Sequence, residues 1–190
     1  MTIPVKFRKS RENTITSYDF TDIANGLGYE NYYATQSFDT ASGQLLIPTT
    51  EKSADPQVRS SGAGTEYNFD TSTFNLPRTV SGTAYLSFET NIAAGTMRTD
   101  IILYKVDAAN AETAISGTVT RTGTTTNAWH FYDIPLTETI IKKGEKLRLS
   151  ITLTSSTGTD GVMGTDPEGS TDGTLLNTRN KLSMPFKISI

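Results

Sequence analysis

The chain has 190 residues, of which 35% are hydrophobic and 19% charged, and its 17 basic and 20 acidic residues give a formal net charge of −3. This composition excludes a charge-driven disordered protein, and it leaves no broad positive field to hold nucleic acid. The absence of cysteine excludes disulfides and thiolate metal sites. From the charge we expect no nucleic-acid partner. No apolar segment is long enough to form a transmembrane helix, so we also expect no membrane partner.

The first 30 residues differ from the rest of the chain because several basic residues alternate with apolar ones. We expect residues 1–30 to form an N-terminal arm with a short helical turn at 18–26. The arm is either a partly ordered terminus or a strand donated to a neighbouring subunit, and both interpretations stay open. It has no continuous apolar segment, so we expect no signal peptide and synthesis in the cytoplasm. The predicted partner-binding residues are Val5, Lys6, Phe7, Arg8, Lys9 and Arg11.

Residues 31–190 are predicted to form an antiparallel jelly-roll β-sandwich, an all-β fold whose core strands lie within 67–190. Threonine is the commonest residue, and its β-branched side chain favours strands over helices. A hairpin of strands 29–38 and 44–47 is expected first, and a polar loop at 49–64 follows it. Alternating apolar segments between turn residues then predict strands at 67–74, 83–89, 99–106, 114–121, 128–134, 146–154 and 182–190.

Alternation within these strands indicates which side chains share a face. Leu86 and Phe88 share one face of the strand at 83–89. The strand at 146–154 is expected to be central and half-buried, because four apolar residues share one of its faces: Leu147, Leu149, Ile151 and Leu153.

The strand at 128–134 carries the residues most relevant to chemistry. Trp129 and Phe131 share one face, and His130 and Tyr132 share the other. Because tryptophan at a strand position is more often core than platform, we expect Trp129 to be buried and His130 to be a surface or structural histidine. His130 is the only histidine, so a Ser-His-Asp mechanism would require it. The chain has no nucleophile elbow, P-loop or dinucleotide fingerprint, and we expect no enzyme activity.

The segment 158–173 combines glycines with four carboxylates, the ligands that a hard cation such as calcium requires. The spacing does not match an EF-hand, and a solvated, turn-rich loop is the preferred interpretation. Calcium is the alternative, and no other cofactor is expected. The candidate ligands are Asp160, Asp166, Glu168 and Asp172.

Segments 134–137 and 140–151 resemble galactose-binding-like jelly-roll modules, among them the C-terminal domains of X-prolyl peptidases. In those modules and in this chain, a Lys-Gly turn leads into a strand with the pattern Leu-x-Leu-x-Ile; here the turn lies at Gly144. The resemblance extends over about residues 67–190. It implies the architecture and not an activity, since many unrelated functions share this fold.

A module of this kind joined to a basic arm also resembles decoration, cement and tail proteins of tailed viruses. The resemblance implies a structural virion protein, a homotrimer that stabilises a viral shell by binding the lattice of the major capsid or tail protein. The alternative is a carbohydrate-binding module, either free or as the receptor-binding part of a tail fibre. A glycan partner requires an exposed aromatic side chain beside polar groups, and the candidates are Trp129, Tyr132, Tyr85 and Tyr104.

Overall fold

The structure, a computed structural model, describes residues 16–17, 27–36, 44–48, 57–60, 64–92, 94–124, 128–157, 161–165 and 180–187. Within these ranges the regular elements are thirteen strands, and there is no helix. The strands are β1 (Thr16–Ser17), β2 (Leu27–Gln36), β3 (Gln44–Ile47), β4 (Gln57–Ser60), β5 (Thr65–Asp70), β6 (Arg78–Ile92), β7 (Thr96–Val106), β8 (Glu112–Ala114), β9 (Val119–Thr124), β10 (Ala128–Ile141), β11 (Lys146–Ser155), β12 (Gly161–Gly164) and β13 (Lys181–Lys187).

The strands form the predicted antiparallel jelly-roll sandwich, which is confirmed. In the first sheet, β6 pairs with β10 along one edge and with β13 and β12 along the other, and β13 pairs with β2. In the second sheet, β11 lies between β5 and β7, and the far edge of β7 pairs with β8 and β9. Strand β3 pairs antiparallel with β2 and parallel with β5, so the predicted hairpin of β2 and β3 links the two sheets.

The core lies between the sheets and is built by alternate residues of the long strands. Leu86 and Phe88 of β6 point inward, as predicted, and all four apolar residues of one face of β11 are fully buried. Strand β11 is central, since it has a partner on each edge. Burial of each of these side chains stabilises the fold by about 1.5–3 kcal/mol, so β6 and β11 supply much of its stability.

The prediction of one continuous strand at 114–121 is wrong. Strand β8 ends at Ala114 and β9 begins at Val119, and the residues between them belong to neither strand. At the break Ile115 is buried in the core, and Ser116 Oγ accepts a hydrogen bond of 2.9 Å from the backbone N–H of Leu103. Ser116 also forms an isolated bridge with Leu136 of β10, so the segment leaves the ladder with β7 here and returns to it only in β9.

Two segments predicted as polar loops contain strands, which corrects that part of the sequence interpretation. Strand β4 lies within 49–64 and β12 within 158–173, and the two pair with each other. Gly161, predicted to lie in a turn, is a close-packing position in β12, since a Cβ there would lie 1.5 Å from Cε of Met97. Val162 and Met163 are buried, so the segment forms a strand although the residues around it in the sequence are polar.

A charged network joins Asp70, at the end of β5, to β11 and β8. Arg148 donates from Nε to Asp70 Oδ1 at 2.5 Å and from Nη2 to Oδ2 at 2.7 Å, and Lys146 donates to Oδ2 at 2.6 Å. Arg148 also pairs with Glu112 of β8. Burial alone would raise the pKa of Asp70, but the hydrogen bonds from Arg148 and Lys146 outweigh it and hold the pKa below its ordinary value.

We predict that Asp70→Asn lowers the free energy of unfolding by about 1.5–3 kcal/mol at neutral pH, because it removes hydrogen bonds between charged groups. Because the pKa of Asp70 is lower in the folded protein than in the unfolded chain, where it is near 3.8, its carboxylate stabilises the fold at any pH above 3.8. This stabilisation is lost as the pH falls through the folded-state pKa. Chemical denaturation from pH 7 to pH 2 measures both effects.

The matched control is Lys187→Gln, which breaks the exposed ion pair with Glu138 and should cost much less stability, because water screens that pair. If Asp70→Asn and Lys187→Gln gave the same small loss, the network would not stabilise the fold.

Candidate functional site

The outer face of the first sheet carries an exposed aromatic cluster. Trp129 and Phe131 of β10 are 44% and 70% exposed, and Tyr85 of the neighbouring β6 is 47% exposed. The rings of Trp129 and Phe131 lie nearly parallel, with an interplanar angle of 22° and centroids 6.5 Å apart. The predicted burial of Trp129 is therefore wrong, although its pairing with Phe131 on one face is right.

Trp129 is exposed because the opposite face of β10 is buried. His130 Nε2 lies 2.7 Å from Thr90 Oγ1, and Tyr132 stacks on Phe88 with centroids 5.3 Å apart. The Tyr132 hydroxyl is hydrogen-bonded to Thr99. These hydrogen bonds to His130 Nε2 and to the Tyr132 hydroxyl offset part of the cost of burying the two polar side chains.

Beside the aromatic side chains lies a groove of about 250 Å³, which we call the aromatic groove. Its rows follow the strand register: Phe131, Ser87 and Lys181 lie side by side on β10, β6 and β13, and Asp133, Tyr85 and Ser183 form the next row. The small side chain of Ser87 leaves room between its larger neighbours. The residues that line it are Tyr85, Leu86, Ser87, Phe131, Tyr132, Asp133, Lys181 and Ser183.

The line of aromatic rings continues beyond the groove to β2. The ring centroid of Tyr29 lies 5.8 Å from that of Tyr85, and the two rings are inclined by 36°. The Tyr29 hydroxyl donates a hydrogen bond of 3.3 Å to the backbone carbonyl of Thr83, which holds its ring in place. Trp129, Phe131, Tyr85 and Tyr29 thus follow one another across the face of the sheet, and we call them the aromatic track.

A second concavity, the end cleft, has a volume of about 810 Å³ and lies where β6 begins. Its floor holds an ion pair between Arg78 and the buried carboxylate of Glu30, and the Arg78 guanidinium lies 3.8 Å from the ring centroid of Phe186. Burial and the neighbouring Glu30 raise the pKa of Tyr32. The rim is apolar, with Leu76 73% exposed and Ile140 57% exposed.

The candidate sugar platforms lie within the described residues, whereas the candidate arm and calcium residues do not. Of the four candidate sugar platforms, Trp129 and Tyr85 are exposed at the aromatic groove, Tyr132 is buried beneath it, and Tyr104 lies on β7 in the second sheet. The arm residues Val5, Lys6, Phe7, Arg8, Lys9 and Arg11, the helical turn at 18–26 and the calcium candidates Asp160, Asp166, Glu168 and Asp172 lie outside the described residues.

Within the described ranges, no group of three or more His, Asp or Glu side chains is placed to hold a metal ion. The same part of the chain contains no helix that is long and apolar enough to cross a membrane.

Sequence reasoning missed the polar members of the groove. Lys181 and Ser183 belong to β13, far along the chain from Phe131, and only the pairing of β13 with β6 brings them together. Phe131 was predictable from the sequence, because it follows Trp129 by two residues in the same strand and so lies on the same face.

No protein-family model matches the chain, and none of the curated proteins matches it in sequence. Solved structures match its fold. A CocE/NonD family hydrolase from Staphylococcus aureus is 10% identical with a TM-score of 0.57, and the match covers 84% of this chain and 37% of that chain. An aminopeptidase from a marine sediment archaeon, Thaumarchaeota archaeon, is 6% identical with a TM-score of 0.57, covering 82% and 37%. This chain therefore spans little more than a third of either protein, and the likeness shows the fold alone.

The burial of His130 leads to a pH prediction. Burial and the nearby Arg121 lower the pKa of His130 below 6.5. Because the unfolded chain takes up a proton first, stability is intact above pH 6.5 and falls as the pH drops toward the folded-state pKa. We predict that His130→Asn abolishes this loss between pH 6.5 and pH 5, as measured by denaturant unfolding at each pH. Parallel pH profiles for the variant and the wild type would contradict the prediction.

Proposed function

We propose that the protein is a non-catalytic carbohydrate-binding module and that the aromatic groove is its glycan site. The observation that carries the proposal is the pair of exposed, nearly parallel rings of Trp129 and Phe131 beside hydrogen-bonding side chains. Such a module works either free or as the receptor-binding part of a viral tail fibre.

The chemistry of the groove suits a sugar ring. A pyranose has an apolar face of C–H groups, which stacks on an aromatic ring, and a rim of hydroxyls that need hydrogen-bond partners. Phe131 and Tyr85 supply the aromatic surface. Lys181 donates, Asp133 accepts, and the hydroxyl of Ser87 does either, so a ring seated above Ser87 finds both kinds of partner.

The non-catalytic part of the proposal is supported by the position of His130. Its ring is buried under the sheet and bonded to Thr90, so it faces the core and not the groove. The hydrolase and aminopeptidase activities in the names of the similar structures belong to those proteins, whose chains are much longer than the matched part.

The test uses glycan arrays followed by calorimetry on the glycan that binds. We predict that Trp129→Ala and Phe131→Ala each weaken binding about tenfold, since loss of one stacked aromatic is worth about 1.4 kcal/mol. Trp129 is the only tryptophan, so its fluorescence should change directly on binding.

The matched control is Leu76→Ala, which removes an exposed apolar side chain at the rim of the end cleft. It should bind glycan like the wild type. An array without hits, or equal losses in Leu76→Ala and Phe131→Ala, would refute the glycan site.

The structural virion role is a second proposal, in which the protein is a capsid decoration subunit that binds its lattice as a homotrimer. What supports it is the apolar rim of the end cleft, where Leu76 and Ile140 are exposed beside Pro48 and Pro77. Protein interfaces have apolar centres of this type, whereas singly scattered apolar residues need no explanation.

For this second proposal we expect light scattering to give the mass of a trimer. The double variant Leu76→Ser, Ile140→Ser should then give the mass of a monomer, because polar side chains remove the apolar contact. Trp129→Ala serves as the control and should keep the trimer. A wild-type monomer at high concentration would contradict self-association through this rim.

A further inference from the structure

We infer that the aromatic groove binds an internal stretch of an extended, unbranched polysaccharide, and that Tyr29 is a distal contact for that chain. The inference rests on the proposed glycan-binding function. It adds the class of ligand, a long chain as opposed to a terminal sugar, and it assigns a role to a residue outside the groove.

The first step is the length of the aromatic track. Centroids are 6.5 Å apart between Trp129 and Phe131 and 5.8 Å apart between Tyr85 and Tyr29, and Phe131 and Tyr85 both line the groove between these pairs. The four rings therefore extend over three strands, β10, β6 and β2, with β13 between the last two. A single sugar ring covers one such step, so only a chain of sugars can contact the whole track.

The second step is the shape of the groove. All its lining residues belong to β6, β10 and β13, so its walls are side chains on a sheet face and not enclosing loops. Its volume of about 250 Å³ lies below the roughly 300–1,000 Å³ of pockets that enclose a small ligand. A terminal sugar would stay largely exposed in it, whereas a long chain gains contact by extending along the face.

The third step is the fixed position of Tyr29. Its hydroxyl is bonded to the carbonyl of Thr83, and its side chain is half-buried, so its ring is held before any ligand arrives. A ring that is already ordered loses little conformational entropy on binding. Tyr29 therefore adds affinity only for a ligand that is long enough to reach it from Phe131 and Tyr85.

The experiment measures affinity against chain length with three sets of linear probes: oligosaccharides of β-linked glucose, xylose and N-acetylglucosamine, each with two, four and six units. For the set that binds, we expect affinity to rise about tenfold or more from two units to six. Tyr29→Ala should lower the affinity for the six-unit probe about fivefold to tenfold and leave that for the two-unit probe unchanged.

Two further variants separate the possible outcomes. Tyr29→Phe keeps the ring but loses its bond to Thr83, so it should lower the affinity for the six-unit probe by less than Tyr29→Ala does. The unchanged affinity of Tyr29→Ala for the two-unit probe shows that the fold of that variant is intact. Equal affinity for short and long probes, all lowered by Trp129→Ala, would overturn the extended-chain inference and leave the glycan site standing. If none of the probes and no polysaccharide on an array bound, the proposed function and the inference would fall together.

Discussion

The alternation of side chains along β6 and β10 is the constraint on which both the core and the aromatic groove depend. The two strands pair continuously from Ala128 opposite Thr90 to Leu136 opposite Gly82. Because side chains alternate, a slip of one residue would turn Trp129 inward and expose Tyr132. The stack of Tyr132 on Phe88 fixes the register, and the same register sets the groove on the outer face.

The aromatic groove and the end cleft differ in how strongly the stability of the fold limits a change of their residues. In the end cleft, Glu30 is buried and paired with the partly exposed Arg78, so loss of Arg78 would leave a buried carboxylate without its cation and destabilise the fold. In the aromatic groove, the exposed rings of Trp129 and Phe131 contribute little to the core. The floor of the cleft is thus held by the stability of the fold, whereas the exposed rings of the groove can be replaced with little effect on the core.

The sequence was sufficient to predict most strands, the sandwich, and the grouping of Trp129 with Phe131 against His130 with Tyr132. It was not sufficient to predict which group is buried. That choice depends on Thr90 and Thr99, which lie on other strands and form hydrogen bonds with His130 Nε2 and the Tyr132 hydroxyl. Hydrophobicity alone favours a buried tryptophan, so the exposed platform was missed for a reason that only tertiary contacts supply.

Strand β10 also carries residues that oppose pairing of its edge with another chain. Within the described residues its ladder is with β6, and its other edge has only the bridge between Leu136 and Ser116. An exposed apolar strand at an edge invites pairing with another chain, and charges or proline oppose it. Asp133 and Pro135 are exposed on the same face as Phe131. Asp133 and Pro135 therefore disfavour pairing at the edge of β10, while the rings of Trp129 and Phe131 stay exposed.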